Sequence, residues 1–250
     1  MTPPPTAAAL IIGNEILTGK VADANLAVLA RTMRGLGVRL VRAHTVLDDM
    51  DTLVSEIRAL SSAHTWLVTS GGVGPTHDDL TIEAVAKAFG RRVVVSDELD
   101  ALLRAAYAER VTEGHLLMAR VPEGATLVRT HTVPWPSVLC ENVFVLPGVP
   151  EIFALKMALV ADVVGRGVAF VTRAAFVSVE EGRIKHLIDA CVGAHRDVEI
   201  GSYPRWGDKT WRTKITFDAQ DEARIEAARA AFVASLPEDV ASTLDDPDAR

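Results

Sequence analysis

Between residues 66 and 89 the chain passes from a short apolar run, 66–69, through three glycines in four residues, Gly71, Gly72 and Gly74, into apolar positions at helical spacing, Leu80, Ile82, Val85, Ala86 and Phe89. A strand that feeds a helix through a glycine turn is the repeating unit of α/β architecture. The unit recurs. Residues 7–12 form the continuous apolar run that a fully buried parallel strand needs, and they end in Gly13-Asn14-Glu15. The spacing predicts a helix over 23–36, with Leu26, Leu29, Ala30 and Met33 on one face, Asp23 as cap and Gly35 or Gly37 as stop. Residues 38–46 read as a second strand that delivers Asp48 and Asp49 to its carboxyl end, where either can cap a helix over 50–60. A strand at 91–96, a helical pattern through Leu99, Leu102, Leu103, Ala106 and Tyr107, a short helix at 115–120, and a strand at 142–146 leading into a helix to 164 follow. The expected fold class is α/β, a doubly wound, mostly parallel sheet.

The loop after residue 69 carries the chemistry. Gly71, Gly72 and Gly74 admit backbone angles closed to other residues and let a ligand approach the main chain, while Pro75 stiffens the exit. The helix behind would aim unpaired N–H groups at an anion, with Thr76 or Asp78 as candidate cap. Two familiar phosphate loops do not fit: Pro75-Thr76 stands where a P-loop needs Lys-Ser/Thr, and His77 where a dinucleotide fingerprint needs glycine. What distinguishes the loop is the pair Asp78-Asp79. A bare carboxylate about 5 Å from a phosphate charge would cost roughly 3 kcal/mol at an effective dielectric near 20. A divalent cation removes that conflict, and Mg²⁺ commonly bridges one or two carboxylates and substrate phosphates. The alternative is that both aspartates only cap the helix and complement its dipole. Pro147-Gly148-Val149-Pro150 repeats the geometry, a glycine turn between a strand's carboxyl end and a helix N-terminus.

The run Thr69-Ser70-Gly71-Gly72-Val73-Gly74-Pro75-Thr76-His77-Asp78-Asp79-Leu80-Thr81 resembles the signature loop of the molybdopterin-binding (MoaB/Mog-like) domain family, in the form found in CinA-type competence/damage-inducible proteins. Gly13-Asn14-Glu15-Ile16-Leu17-Thr18-Gly19 resembles the family's first motif, with Asn14 where aspartate is usual, and Pro147-Gly148-Val149-Pro150 is similar to its Pro-Gly-x-Pro turn. Asp48 best matches the acidic residue that follows the family's second strand. Thr130-His131-Thr132-Val133-Pro134-Trp135-Pro136 departs from the Gly-Thr-Ala-Pro-Gly of bacterial CinA proteins. It is more similar to the molybdopterin-binding-like half of eukaryotic FAD synthases, as is Gly201-Ser202-Tyr203-Pro204.

The resemblance implies a small phosphorylated ligand, a nucleotide or pterin, held by Gly13, Asn14, Glu15, Ser70, Gly71, Gly72, Gly74, Pro75, Thr76, Asp78, Pro147, Gly148 and Pro150. Asp48 and Asp79 would be the catalytic residues, sharing a divalent Mg, Mn or Co ion. The activity so implied is metal-dependent nucleotide pyrophosphatase, on FAD or ADP-ribose, in a homo-oligomer. The alternatives are a pterin- or nucleotide-binding module without turnover, and molybdopterin adenylylation in molybdenum cofactor biosynthesis.

Composition bounds the rest. With 250 residues, 49% of them hydrophobic, the chain can bury a core in one large domain or two small ones. A net charge of −7 and a pI near 5.5, without clustered Lys and Arg, argue against a nucleic-acid surface. Cys140 and Cys191 lack metal-ligand spacing and the seven histidines form no ligand pair, so no zinc site, Fe–S cluster or haem is expected. The first apolar run is broken at Gly13 and none reaches a membrane span, so no membrane partner and a cytoplasmic location are expected. Gly165-Arg166-Gly167 reads as a boundary between domains 1–167 and 168–250. Beyond it a strand at 169–179, a helix at 181–191, strands at 198–203 and 210–218 and a helix at 222–236 predict a small α+β subdomain with an antiparallel sheet and a frayed polar tail. Trp206 and Trp211 flank Gly207-Asp208-Lys209, read as a hairpin turn with aromatic packing, while Trp135 reads either as a stacking group or as a packing anchor.

Overall fold

Successive side chains of a strand point to opposite faces, so a strand apolar at every position must be covered on both sides. Residues 7–12 are all buried in this way. The computed structural model describes residues 3–207 and 211–246, and the chain divides into two units between Gly167 and Val168. The first unit runs β1 (Thr6–Ile12), α1 (Asn14–Leu17), α2 (Asn25–Gly35), β2 (Arg39–Val46), α3 (Met50–Ala63), β3 (Trp66–Ser70), α4 (Thr81–Ala88), β4 (Val93–Val95), α5 (Asp97–Tyr107), α6 (Glu113–Leu117), β5 (Arg120–Pro122), β6 (Thr126–Val128), β7 (Ser137–Cys140), β8 (Val143–Leu146) and α7 (Pro150–Val164). Six of these strands form one sheet of order β2-β1-β3-β8-β7-β6. Pairs β1/β2, β1/β3 and β3/β8 are parallel, while β7/β8 and β6/β7 are antiparallel.

Alternation along β1 sorts the core into two layers. Ala8, Leu10 and Ile12 pack with Leu53 and Ile57 of α3, Ala84 and Val85 of α4, and Leu99 and Leu103 of α5. Ala7, Ala9 and Ile11 pack with Leu29 and Met33 of α2 and Phe153, Met157 and Val160 of α7. Each fully buried Leu, Ile or Phe contributes about 1.5–3 kcal/mol, so both faces hold the sheet firmly. The result is the mostly parallel, doubly wound α/β sheet expected from the strand–turn–helix succession.

Three details differ from the sequence reading. Residues 93–95 pair antiparallel with β5 in a separate two-stranded ribbon instead of joining the main sheet. Strands β6 and β7 extend the sheet from residues that carry no strand pattern, because three or four residues beside a proline-rich loop are too few to show alternation. The helix at 115–120 instead spans Glu113–Leu117, capped by Thr112, whose Oγ1 accepts from His115 N–H while its own N–H donates to His115 Nδ1.

The second unit contains β9 (Val171–Val177), α8 (Glu181–Ala194), β10 (Glu199–Pro204), β11 (Thr213–Ala219), α9 (Glu222–Ala234) and β12 (Ser242–Thr243), with sheet order β10-β11-β9-β12. All its described pairs are antiparallel. Its core joins Ile184 and Ile188 of α8 to Ile215, Phe217, Ile225 and Phe232. The tail is not frayed throughout: Val240 is buried and Ser242–Thr243 pairs with β9, while residues 247–250 lie outside the described residues. Trp211 packs edge-on against Phe176, with Arg205 over its ring, but Trp206 is 91% exposed and so does not share that packing. The turn residues 208–210 lie outside the described residues. Among the described residues no helix is long and apolar enough to cross a membrane.

Candidate functional site

Parallel register brings the expected loops together. Ile12 pairs with Val46, Ile11 with Ser70 and Ser70 with Leu146, so the turns that begin at Gly13, Leu47, Gly71 and Pro147 all leave the same edge of the sheet. β1 connects outward to β2 on one side and β3 lies on the other, which makes the β1/β3 boundary the switch point where open α/β sheets bind ligands. Main-chain bonds tie the turns: Gly13 N–H donates to Val46 O and Gly71 N–H to Leu146 O.

The helix ends at this edge differ in kind. Asp49 caps α3 by accepting from Thr52 N–H, and the Asp23 carboxylate accepts from Asn25 and Leu26 N–H at the start of α2. The helices that follow the two glycine turns have no side-chain cap: α4 starts after Leu80 and α7 after Val149, with Pro150 in its first turn. Thr81 N–H is taken by Gly72 O and Pro150 has no N–H, so the other first-turn N–H groups and the positive dipole ends remain for an anion. This corrects the expectation that Thr76 or Asp78 caps α4. Asp79 instead turns back into the loop, where its Oδ2 accepts from Thr76 N–H at 2.8 Å and from the Thr76 hydroxyl.

Gly71 and Gly72 take the positive φ angles that the sequence reading expects, and they also admit close contacts within the protein. A Cβ on Gly71, at φ +110°, would lie 2.2 Å from Ile12 O, and one on Gly72, at φ +65°, 2.4 Å from Thr81 Oγ1. These positions let the loop close on its own protein. Gly148 is built on the same close approach, its Cβ position 3.3 Å from Gly71 Cα. Two residues that sequence reasoning missed hold the assembly. Thr81, fully buried, donates from Oγ1 to Gly71 O at 2.8 Å. Asn25, 4% exposed, donates from Nδ2 to both Ser70 Oγ and Gly148 O at 2.8 Å, and its Oδ1 meets no protein donor. Polar residues inside the apolar pattern of 7–36 and 80–89 are the signal that could have found them.

Asp48 is tied to the first glycine turn. Asp48 Oδ2 accepts from Asn14 N–H at 3.0 Å, and Asn14 Oδ1 accepts from Asp48 N–H at 3.3 Å. Burial, chiefly, and the charges of Glu15 and Asp78 raise the Asp48 carboxyl above its ordinary value, against the Asn14 hydrogen bond. The carboxylates that act on Asp48 are Glu15 and Asp78, whereas Asp79 is engaged by Thr76 within its own loop. Among the described residues no three His, Cys, Asp or Glu side chains stand close enough to form a metal-binding group. An acidic pair nevertheless suits a hard cation such as Mg²⁺ or Mn²⁺, which takes one or two carboxylates and fills its remaining positions with water and phosphate. Half-buried Asp48, penalised for its charge with two further carboxylates acting on it, fits such an ion. His77 is almost wholly exposed and faces only Asp78, at 4.0 Å.

Residues 8–165 match the family model described as "Probable molybdopterin binding domain", and residues 169–245 match "FAD synthase, middle domain". A protein of Archaeoglobus fulgidus is 30% identical over 217 residues, 87% of this chain and 92% of its own. The "Probable FAD synthase" of Caenorhabditis elegans is 31% identical over 251 residues, which is 89% of this chain but 48% of the relative. The chain thus spans about half the length of that protein. The crystal structure of the protein CinA from Thermoplasma acidophilum has a TM-score of 0.59 and 29% identity, covering 65% of this chain and 99% of its own.

Proposed function

Because the chain belongs to the family of molybdopterin-binding domains, in its CinA-like form, we propose that the first unit binds a phosphorylated nucleotide or pterin at the β1/β3/β8 edge and hydrolyses the diphosphate of a nucleotide such as FAD or ADP-ribose. The observation that carries the reading is the pairing of two uncapped helix N-termini, α4 and α7, with a half-buried acidic group. Anion-binding amides beside carboxylates suit a substrate that brings phosphate and a cation together.

In this mechanism the first-turn amides of α4 and α7 that follow Thr81 and Pro150 hold the phosphate oxygens and stabilise the charge that develops on them. Thr76 holds the Asp79 carboxylate in place from the loop side, and Asn14 holds that of Asp48. Asn25 keeps the two glycine turns at fixed separation through Ser70 and Gly148. A divalent ion held by Asp48 and Asp79 would offset the phosphate charge and acidify a bound water. The test is release of AMP from FAD or ADP-ribose by purified protein with Mg²⁺, Mn²⁺ or Co²⁺, against a chelator control. Metal-dependent AMP release supports hydrolysis, whereas tight nucleotide binding without release reduces the reading to a binding module.

A further inference from the structure

Lys156 is the one described buried cation near this edge that the proposed chemistry leaves unused. It sits on α7, only 3% exposed. Its Nζ donates to Trp135 O and, at 3.2 Å, to Pro136 O, and among the described residues no carboxylate pairs with it. Burial pushes its pKa down to about 8. An ammonium taken out of water without a counter-charge costs more than a hydrogen bond that merely closes a surface turn returns. The fold therefore keeps a costly group whose bonds go to two consecutive carbonyls.

Those carbonyls belong to the loop between β6 and β7, and topology puts that loop beside the cleft. Val128 pairs with Ser137 and Val138 with Val145, so Pro136 emerges next to the Pro147-Gly148 turn, about one strand spacing or roughly 5 Å away. The loop is stiff at both ends. Thr130 N–H donates to Val133 O and Val133 N–H to Thr130 Oγ1, and prolines at 134 and 136 fix the backbone on either side of residue 135. On this clamped backbone Trp135 is 41% exposed. A large aromatic ring kept half in solvent on a rigid support is preorganised to meet a flat partner.

We propose that Trp135 is the ring-binding wall of the cleft, its indole stacking on the planar heterocycle of a ligand whose phosphate lies at the α4 and α7 N-termini, and that Lys156 is the positioning residue that holds it there. The proposal rests on the phosphate-binding reading above and adds recognition of the base-like ring. Aromatic stacking of this kind is worth about 1–3 kcal/mol per ring, or roughly 5- to 150-fold in affinity.

The experiment compares AMP and flavin mononucleotide, which carry a ring, with inorganic pyrophosphate, which does not, by calorimetry on the full chain. Trp135→Ala should weaken both ring-bearing ligands about tenfold or more and leave pyrophosphate unchanged, and Trp135→Phe should restore most of the loss. Bound flavin should quench tryptophan emission in the wild type, and most of that quenching should vanish in Trp135→Phe. Lys156→Met, shown to be folded by circular dichroism, should weaken the ring-bearing ligands selectively, and Lys156→Arg should recover part of the loss. Equal AMP affinity for wild type and Trp135→Ala would overturn the proposal, as would a variant that keeps affinity but changes oligomeric state in sedimentation, which would make Trp135 an assembly contact. If the wild type binds pyrophosphate but prefers neither ring-bearing ligand, only the ring proposal fails. If it binds none of the three, the phosphate-site reading fails with it.

Discussion

Replacing Lys156 by methionine removes a charge that the fold holds out of water, and the size of the effect follows from proton linkage. Methionine preserves the unbranched stem and has no proton to exchange. In the folded chain burial pushes Lys156 down to about 8, from 10.5 for an unburied lysine. Between those values the unfolded chain holds a proton that the folded chain has released, so stability rises with pH, by at most about 1.4 kcal/mol per unit. Below the window both states are protonated and the cost of burying the ammonium is felt in full; above it both are neutral and the cost is gone. Taking the occupancies at about pH 7.5 and about pH 9.5 gives a gain of roughly 2 kcal/mol for the wild type across that interval. The assay is urea unfolding by circular dichroism at closely spaced pH values, and the quantity read is wild type minus Lys156→Met. Cys140 and Cys191, whose thiols burial pushes up, titrate in both proteins and cancel in the difference. A difference that stays flat from neutral to alkaline pH would refute the assignment of a desolvated ammonium at the Trp135 loop.

Further outcomes follow from the site itself. Asp48→Asn should raise the thermal midpoint of the metal-free protein at neutral pH while lowering AMP release, because the folded chain penalises the Asp48 charge. Its carboxyl is raised in the fold, so the wild type loses stability as pH climbs from the unfolded value through the folded one, and the advantage of asparagine should disappear in scanning calorimetry at about pH 3.5. Asp79→Asn retains an acceptor for Thr76 N–H, so metal-dependent turnover should fall at least about tenfold with little change in the midpoint. Tighter nucleotide binding in that variant would mean an unneutralised carboxylate beside phosphate, and unchanged binding and turnover would mean a structural role. Gly71→Ala should cost about 3 kcal/mol or more in urea unfolding, since its Cβ would stand 2.2 Å from Ile12 O; an unchanged midpoint would show that the loop can move aside.

The strand–turn–helix units, the two-sided burial of residues 7–12 and the meeting of the turns after 12, 46, 70 and 146 were legible from residue order alone. The reason is physical: apolar alternation, helical periodicity and glycine turns are set by neighbours within a few residues, and parallel strands with buried helices admit few arrangements. Caps were legible only where the chemistry is local, as at Asp49 with Thr52, three residues on. What residue order could not decide is who occupies the space between segments. Thr81 takes the volume that Gly72 leaves open, and Asp79 serves Thr76 instead of the helix. Asn25 reaches 123 positions along the chain to Gly148 O, and Lys156 closes a loop that the β6/β7 hairpin carries to the cleft. The Asp79–Thr76 contact is local and exposed, but Thr81, Asn25 and Lys156 are buried polar groups whose partners are chosen by desolvation, since a donor taken from water must find an acceptor wherever the packed sheet brings one within about 3 Å. That choice is made between distant segments only once the register of β1, β2, β3 and β8 has brought them together.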